Sequence, residues 1–383
     1  MSVTRLTNFL VKIASRCNLA CDYCYVYEHS DQTWRGQPVV MSEEHIATLA
    51  RRIADYIRHE DIAEINVIFH GGEPLLAGPS RIAAAAELLR RAVRPETEIV
   101  FSLQTNGTLL NIDAVNSFVA ARIWVSLSVD GGLRANDLHR LDHAGRSTFA
   151  ATIDALRLLE ETPSIYGGLI SVVDPRVSPA ELFDFIGPRN PPLWDILLPD
   201  AHHERCPPGR DADPELYKRW LVEAFDTWFD EYPEIPLRTF DAVLARCAGL
   251  PSATDVFGLG TPNLLTIETD GSYHGVDVFK ITEPGATSLG LCLDSNTIED
   301  AATSPRMLAY GALLRLDGLS EECQRCPEVT VCGGGSVPHR YSNSGLRNPT
   351  VYCAEMLALI AHARERMYSV LSPIRPSVHQ VRH

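Results

Sequence analysis

Apolar residues gather in short runs at Phe9–Ile13, Ile65–Phe69, Ile99–Leu103, Ile123–Val129, Ile165–Val173 and Asp195–Leu198. Runs of this length, flanked by polar turns, predict strands covered on both faces. Between them the apolar positions recur at helical spacing. The clearest case begins at Ser42, a plausible N-cap: Glu43 and Glu44 suit the positive end of the helix dipole, and Ile46, Leu49, Ile53 and Ile57 form one stripe. Further helices are predicted over Arg81–Val93, Asp113–Ala121, Thr148–Glu161 and Pro179–Ile186. Six repeats of strand and helix predict an α/β fold with a parallel sheet, curled into a partial (β/α)6 barrel, because the chain lacks the length for eight repeats. Chemistry in such folds sits at the carboxyl ends of the strands, so the residues just after each run are the candidates.

Around the sixth run, over Gly187–Asp213, the pattern loosens. Pro188, Pro191, Pro192, Pro199, Pro207 and Pro208 mark a linker or irregular crossing. A helix carrying Trp220, Phe225, Trp228 and Phe229 follows. From about Phe257 glycine-rich turns and clustered cysteines suggest a second, metal-held domain, closed by an amphipathic helix near Ala354–Val370. The expected organisation is a barrel over 1–200, a bridging helical segment over 201–256 and a cysteine-rich domain over 257–383.

Composition narrows the classes. With 383 residues, 45% of them hydrophobic, the chain can bury a large core. A net charge of −15 argues against nonspecific binding to nucleic acid or to an anionic membrane. No apolar stretch reaches the length of a membrane span, and Met1–Lys12 lacks the layout of a secretion signal, so the expected location is the cytoplasm. Ten cysteines are unusual for a reducing compartment unless some bind metal or do redox chemistry.

Directly after the first strand stand Cys17, Cys21 and Cys24. Three thiolates this close, without a nearby histidine, suit a [4Fe–4S] cluster with one iron left open better than a zinc tetrahedron completed by a distant ligand. Their Cys-x3-Cys-x2-Cys spacing, with Tyr23 before the last cysteine, resembles the signature of the radical S-adenosylmethionine superfamily. The resemblance implies that the open iron chelates S-adenosylmethionine. It extends to His70-Gly71-Gly72-Glu73-Pro74 after the second strand, where backbone and glutamate would receive the cofactor's ammonium and the glycines permit close backbone approach. Asn106 after the third strand, Ser128 on the fourth and Arg140 continue the series, with Arg140 implied to pair with the cofactor carboxylate.

Cys323, Cys326, Cys332 and Cys353 resemble the SPASM extension of radical enzymes that act on peptides, which implies one auxiliary [4Fe–4S] cluster; a four-cysteine zinc site is the alternative. Where a second auxiliary cluster would find ligands, this chain has Val276 and Ser336, so one auxiliary cluster is expected. Cys206, Cys247 and Cys292 read as ordinary buried or free thiols. Asp277 stands where sulfatase-maturing relatives place a proton acceptor.

The resemblance thus implies a radical S-adenosylmethionine barrel followed by a SPASM-type iron–sulfur domain. It also implies reductive cofactor cleavage to a 5′-deoxyadenosyl radical, and an electron donor such as flavodoxin or ferredoxin. The wording of the motifs, with Tyr25, Tyr27, His29 and Trp34 after the cysteines, is similar to the FxsB-type enzymes that form three-residue cyclophanes in ribosomally made peptides. That likeness implies a precursor peptide substrate and a bond from an aromatic ring carbon to a β-carbon. No leader-binding domain is expected ahead of the first strand. Thioether-forming or dehydrogenating maturation and peptide epimerisation are the enzyme alternatives; an electron carrier or zinc scaffold is the alternative of another class.

Overall fold

A computed structural model describes residues 5–252 and 254–371. All six apolar runs form strands: β1 (Asn8–Ala14), β2 (Glu64–Gly71), β3 (Glu98–Thr105), β4 (Ile123–Ser128), β5 (Tyr166–Val172) and β6 (Trp194–Leu197). Each pairs in parallel with its neighbour in chain order. Parallel pairing requires crossovers, and the helices supply them: α1 (Glu43–Glu60), α2 (Pro79–Ala92), α3 (Ile112–Ala121), α4 (Leu133–His139), α5 (Phe149–Glu160) and α6 (Pro179–Ile186). Ser42 caps α1 by accepting from His45 N, and Ile46, Leu49, Ile53 and Ile57 are buried on its inner face. The short α4 went unpredicted, because Arg134, Asn136, Asp137 and His139 give its seven residues little apolar stripe.

The proline-rich stretch is not a plain linker. It contains β6, whose Trp194 is fully buried and donates its indole N–H to Ser171 Oγ at 3.0 Å. Beyond it, α7 (Leu216–Glu231) and α8 (Arg238–Cys247) lead to β7 (Leu264–Ile267), β8 (Ser272–His274) and β9 (Ser288–Cys292). β7 lies parallel to β1, and β8 and β9 continue antiparallel, so one nine-stranded sheet runs β6-β5-β4-β3-β2-β1-β7-β8-β9. The cysteine-rich half therefore joins the barrel sheet at its open edge. Four short helices, α9 (Ile298–Ala302), α10 (Pro305–Leu313), α11 (Glu321–Arg325) and α12 (Val329–Cys332), precede the closing α13 (Cys353–Leu371). No described helix is long and apolar enough to cross a membrane.

Candidate active site

The turn after β1 is held from outside. Arg16 donates to Trp34 O at 2.8 Å and lies over the Trp34 ring, while the Tyr27 hydroxyl donates to Ser15 O. Ala20 N donates to Leu141 O, and Glu28 N to Cys24 O. This frame presents Cys17, Cys21 and Cys24 to a single cavity of roughly 440 Å³. Cys17 Sγ accepts from Leu19 N at 3.4 Å and from Asn106 Nδ2 at 3.7 Å. Burial pushes the Cys17 thiol up to about 11 and the Cys21 thiol up to about 12. The protein alone thus leaves these thiols protonated, and a bound metal centre must displace the protons. Among the described residues no three His, Cys, Asp or Glu side chains converge on a site for one ion.

Around the cysteines stand the strand-end residues. Gly71 and Gly72 are required, but by the neighbouring turn: a Cβ on Gly71 would sit 2.0 Å from Ala14 O, and one on Gly72 would meet Tyr27 Oη at 1.8 Å and Arg16 O at 2.6 Å. Glu73 is fully buried, does not line the cavity, and accepts from Leu75 N, Thr105 Oγ1 and Asn106 N at 2.8–2.9 Å. Oε1 takes two of these bonds and Oε2 one, which ties the β2 loop to the β3 loop. Glu73 thus stands behind the cavity wall rather than in its lining. Asn106 faces the cavity, with Oδ1 holding Thr108 and Nδ2 directed at Cys17 and Asn18. Ser128 Oγ accepts from Gln104 Nε2 at 2.8 Å, and both residues line the cavity.

Tyr23, Asp130 and Arg140 form a further buried set. The Tyr23 hydroxyl donates to Asp130 Oδ2 at 2.6 Å and accepts from Arg140 Nη1 at 3.1 Å. Arg140 is 4% exposed, and its Nε and Nη2 have no partner among the described residues. Unmatched buried guanidinium N–H groups are costly unless an anion arrives, and Arg140 opens on the cavity.

A fourth group was not legible as a unit. Asp277 is buried, accepts from Lys12 Nζ at 2.6 Å and from the Tyr25 hydroxyl, and lies behind the cavity wall. Burial alone would raise the Asp277 pKa, but the Lys12 ammonium outweighs it and holds the carboxyl well below its usual range. Lys12 Nζ also stands 3.1 Å from His70 Nδ1. Tyr25 and His70 line the cavity, whereas Lys12 and Asp277 do not. Lys12 carried one signal, a lysine inside an otherwise apolar strand, because a buried ammonium requires a partner.

At the other end of the sequence burial, and after it the neighbouring Cys323 and Cys326, push the Cys332 thiol up to about 11 and raise that of Cys353. After Cys332 the glycines 333–335 all have positive φ, between 64° and 83°. Buried Arg340 donates to all three of their carbonyls, clamping the loop. Val276 and Ser336 face the cavity. Cys206 is exposed, and Cys247 and Cys292 are half-buried; all three are free thiols.

The chain's matches to known proteins agree with this geometry. Residues 11–185 match the Radical SAM superfamily. The cysteine-type anaerobic sulfatase-maturating enzyme of Clostridium perfringens (strain 13 / Type A) is 25% identical over 96% of this chain and 99% of its own. The serine-type enzyme of Klebsiella aerogenes is 29% identical over 85% of this chain and 78% of its own. In fold, anSMEcpe with bound AdoMet and Cp18Cys peptide superposes with a TM-score of 0.82 at 23% identity, covering 95% and 98% of the two chains. Streptococcus suis SuiB bound to precursor peptide SuiA gives 0.55 at 11% identity, covering 90% and 75%. The superfamily uses a [4Fe–4S] cluster and S-adenosylmethionine, and auxiliary clusters are typical of its SPASM-type members. The residues here fit: three thiols open on a cavity large enough for a small-molecule cofactor, with an unmatched buried arginine beside them. The match to the Radical SAM superfamily thus spans residues 11–185, the part of the chain that carries the three-cysteine turn and the strand-end motifs.

Proposed function

We propose that the chain is an enzyme that oxidises a residue of a peptide or protein by removing two hydrogens, as a sulfatase-maturase-like reaction does. The observation that carries this reading is the single cavity shared by Cys17, Cys21 and Cys24 and by Tyr25 and His70, whose wall is backed by an ionised carboxylate. The sulfatase-maturating names of the relatives support it. Cys17, Cys21 and Cys24 would hold the cluster and Arg140 the carboxylate of the cofactor, which when bound supplies a carbon radical able to take a hydrogen atom from the substrate. The second hydrogen leaves as a proton and an electron. Asp277, held ionised by Lys12 until that step, accepts the proton through the Tyr25 hydroxyl, the group it reaches at the cavity wall. The electron needs an acceptor, and Cys323, Cys326, Cys332 and Cys353 would hold one as an auxiliary cluster. Flavodoxin or ferredoxin would serve as the external reductant.

A second reading is supported by the far wall of the same cavity, where Val256, Phe257, Val276, Val278 and Leu314 leave an apolar space. An aromatic side chain fits such a surface, which suits cyclophane formation. Anaerobically reconstituted protein with S-adenosylmethionine, dithionite and cysteine- or aromatic-containing peptides tests both. Loss of two hydrogens with 5′-deoxyadenosine formed supports oxidation, and loss of ring protons by NMR assigns the crosslink. An unchanged mass with inverted stereochemistry would replace both readings with epimerisation.

A further inference from the structure

His70 has two ring nitrogens in different surroundings. Nδ1 lies 3.1 Å from Lys12 Nζ and 3.1 Å from Gly71 O. Nε2 has no hydrogen-bond partner among the described residues and is not among the buried unmatched atoms, so it faces the cavity that His70 lines. An ammonium has three donors and no acceptor, so beside Lys12 the nitrogen Nδ1 is favoured as the acceptor, and the ring proton then belongs on Nε2. Were Nδ1 protonated toward Gly71 O, its N–H would confront the Lys12 ammonium. Burial, then the Lys12 charge, pulls the imidazolium pKa down to about 4, so the ring is neutral at pH 7.

We infer that His70 is a positioning residue whose Nε2–H, fixed by Lys12, donates to a carbonyl oxygen of the peptide substrate, and that it takes no part in proton abstraction. This rests on the peptide reading above. The amino-acid end of the cofactor is the poorer partner: its ammonium cannot accept, and its carboxylate matches the charged, unpaired N–H groups of Arg140 better than a neutral imidazole. Lys12 thereby serves both sides of the cavity wall, holding Asp277 ionised and His70 as a donor.

The test uses the cluster-loaded protein with S-adenosylmethionine present and its histidines labelled with ¹⁵N, the His70 signals being assigned by their loss in His70→Gln. The expected spectrum shows the proton on Nε2 and an unprotonated Nδ1. Added N-acetylglycinamide, a peptide-carbonyl probe, should move the Nε2–H resonance, and S-adenosylmethionine alone should not. A proton on Nδ1 in the wild-type protein would overturn the inference, and so would an Nε2–H that stays put at the highest soluble amide concentration. Lys12→Met adds a second measurement: the proton should redistribute toward Nδ1, and an unaltered tautomer would remove Lys12 from the argument. These readouts need no turnover. Failure of every peptide to react therefore overturns the oxidation reading and leaves the tautomer result standing by itself.

Discussion

The ammonium of Lys12 lies 2.6 Å from the carboxylate of Asp277, 265 residues away, with both side chains almost fully buried. The pair ties β1 to the segment after β8 across the strand junction that joins the barrel to the cysteine-rich half. Removing one partner strands the other charge in the interior, which costs about 3–5 kcal/mol. Lys12→Met should therefore lower the unfolding free energy by about that much, and Lys12→Met with Asp277→Asn should recover a large part. Chemical denaturation of the two variants checks this, and equal losses would mean that the charges are not coupled.

Much of the fold was legible in the sequence. The six strands follow from apolar runs that only a doubly covered parallel sheet explains, and α1 from a cap and stripe that agree with each other. The contacts of Glu73 were not legible, because a buried carboxylate and one that meets a cofactor share the same motif letters. Its bonds to Leu75, Thr105 and Asn106 depend on how the β2 and β3 loops meet in the fold. The continuity of the sheet was hidden for a different reason: the four residues of β7 are too few for a pattern, and their pairing with β1 spans more than half the chain.

His70 and His29 both have pKa values pulled down to about 4 by burial. A histidine held neutral in the fold contributes its full share of stability above its unfolded pKa of about 6.5 and loses it as pH falls toward the folded value. For His70 the full shift corresponds to about 3 kcal/mol between pH 6.5 and pH 4. In His70→Gln this loss should disappear while that from His29 remains, so the decline in stability on acidification should be shallower than in the wild type. Urea unfolding at pH 7 and pH 5 measures the difference, and parallel declines would refute the assignment.

Gly72 sits where any Cβ would strike the Arg16 carbonyl and the Tyr27 hydroxyl. Gly72→Ala must push the β2 loop away from the cysteine turn, so iron uptake at Cys17, Cys21 and Cys24 should fall by about half of the total per chain. Gly36→Ala has open space within 4 Å and serves as the control, with unchanged uptake. Iron analysis after anaerobic reconstitution reads both.

The two cysteine sets should load independently. Wild-type protein should take up about eight irons, two cubes' worth, and the triple variant Cys17→Ala, Cys21→Ala, Cys24→Ala about four. The triple variant should also form no 5′-deoxyadenosine. Cys353→Ala should retain cofactor cleavage while the yield of modified peptide falls. A wild-type count near twelve would require a third site, which Val276 and Ser336 do not provide.

Arg140 is the sharpest probe of the cofactor pocket, because its Nη1 is committed to the Tyr23 hydroxyl while Nε and Nη2 remain unmatched and buried. A charge-assisted hydrogen bond is worth roughly 1.5–3 kcal/mol, or about a tenfold to hundredfold change in affinity. Arg140→Met keeps most of the side-chain volume and removes the charge, so S-adenosylmethionine should bind to the loaded protein tenfold or more weakly by equilibrium dialysis. Arg140→Lys restores the charge without the planar fork, and its affinity should fall between the two. Wild-type affinity in Arg140→Met would mean that the buried guanidinium serves the Tyr23–Asp130 pair alone and that the cofactor's carboxylate is held elsewhere in the cavity.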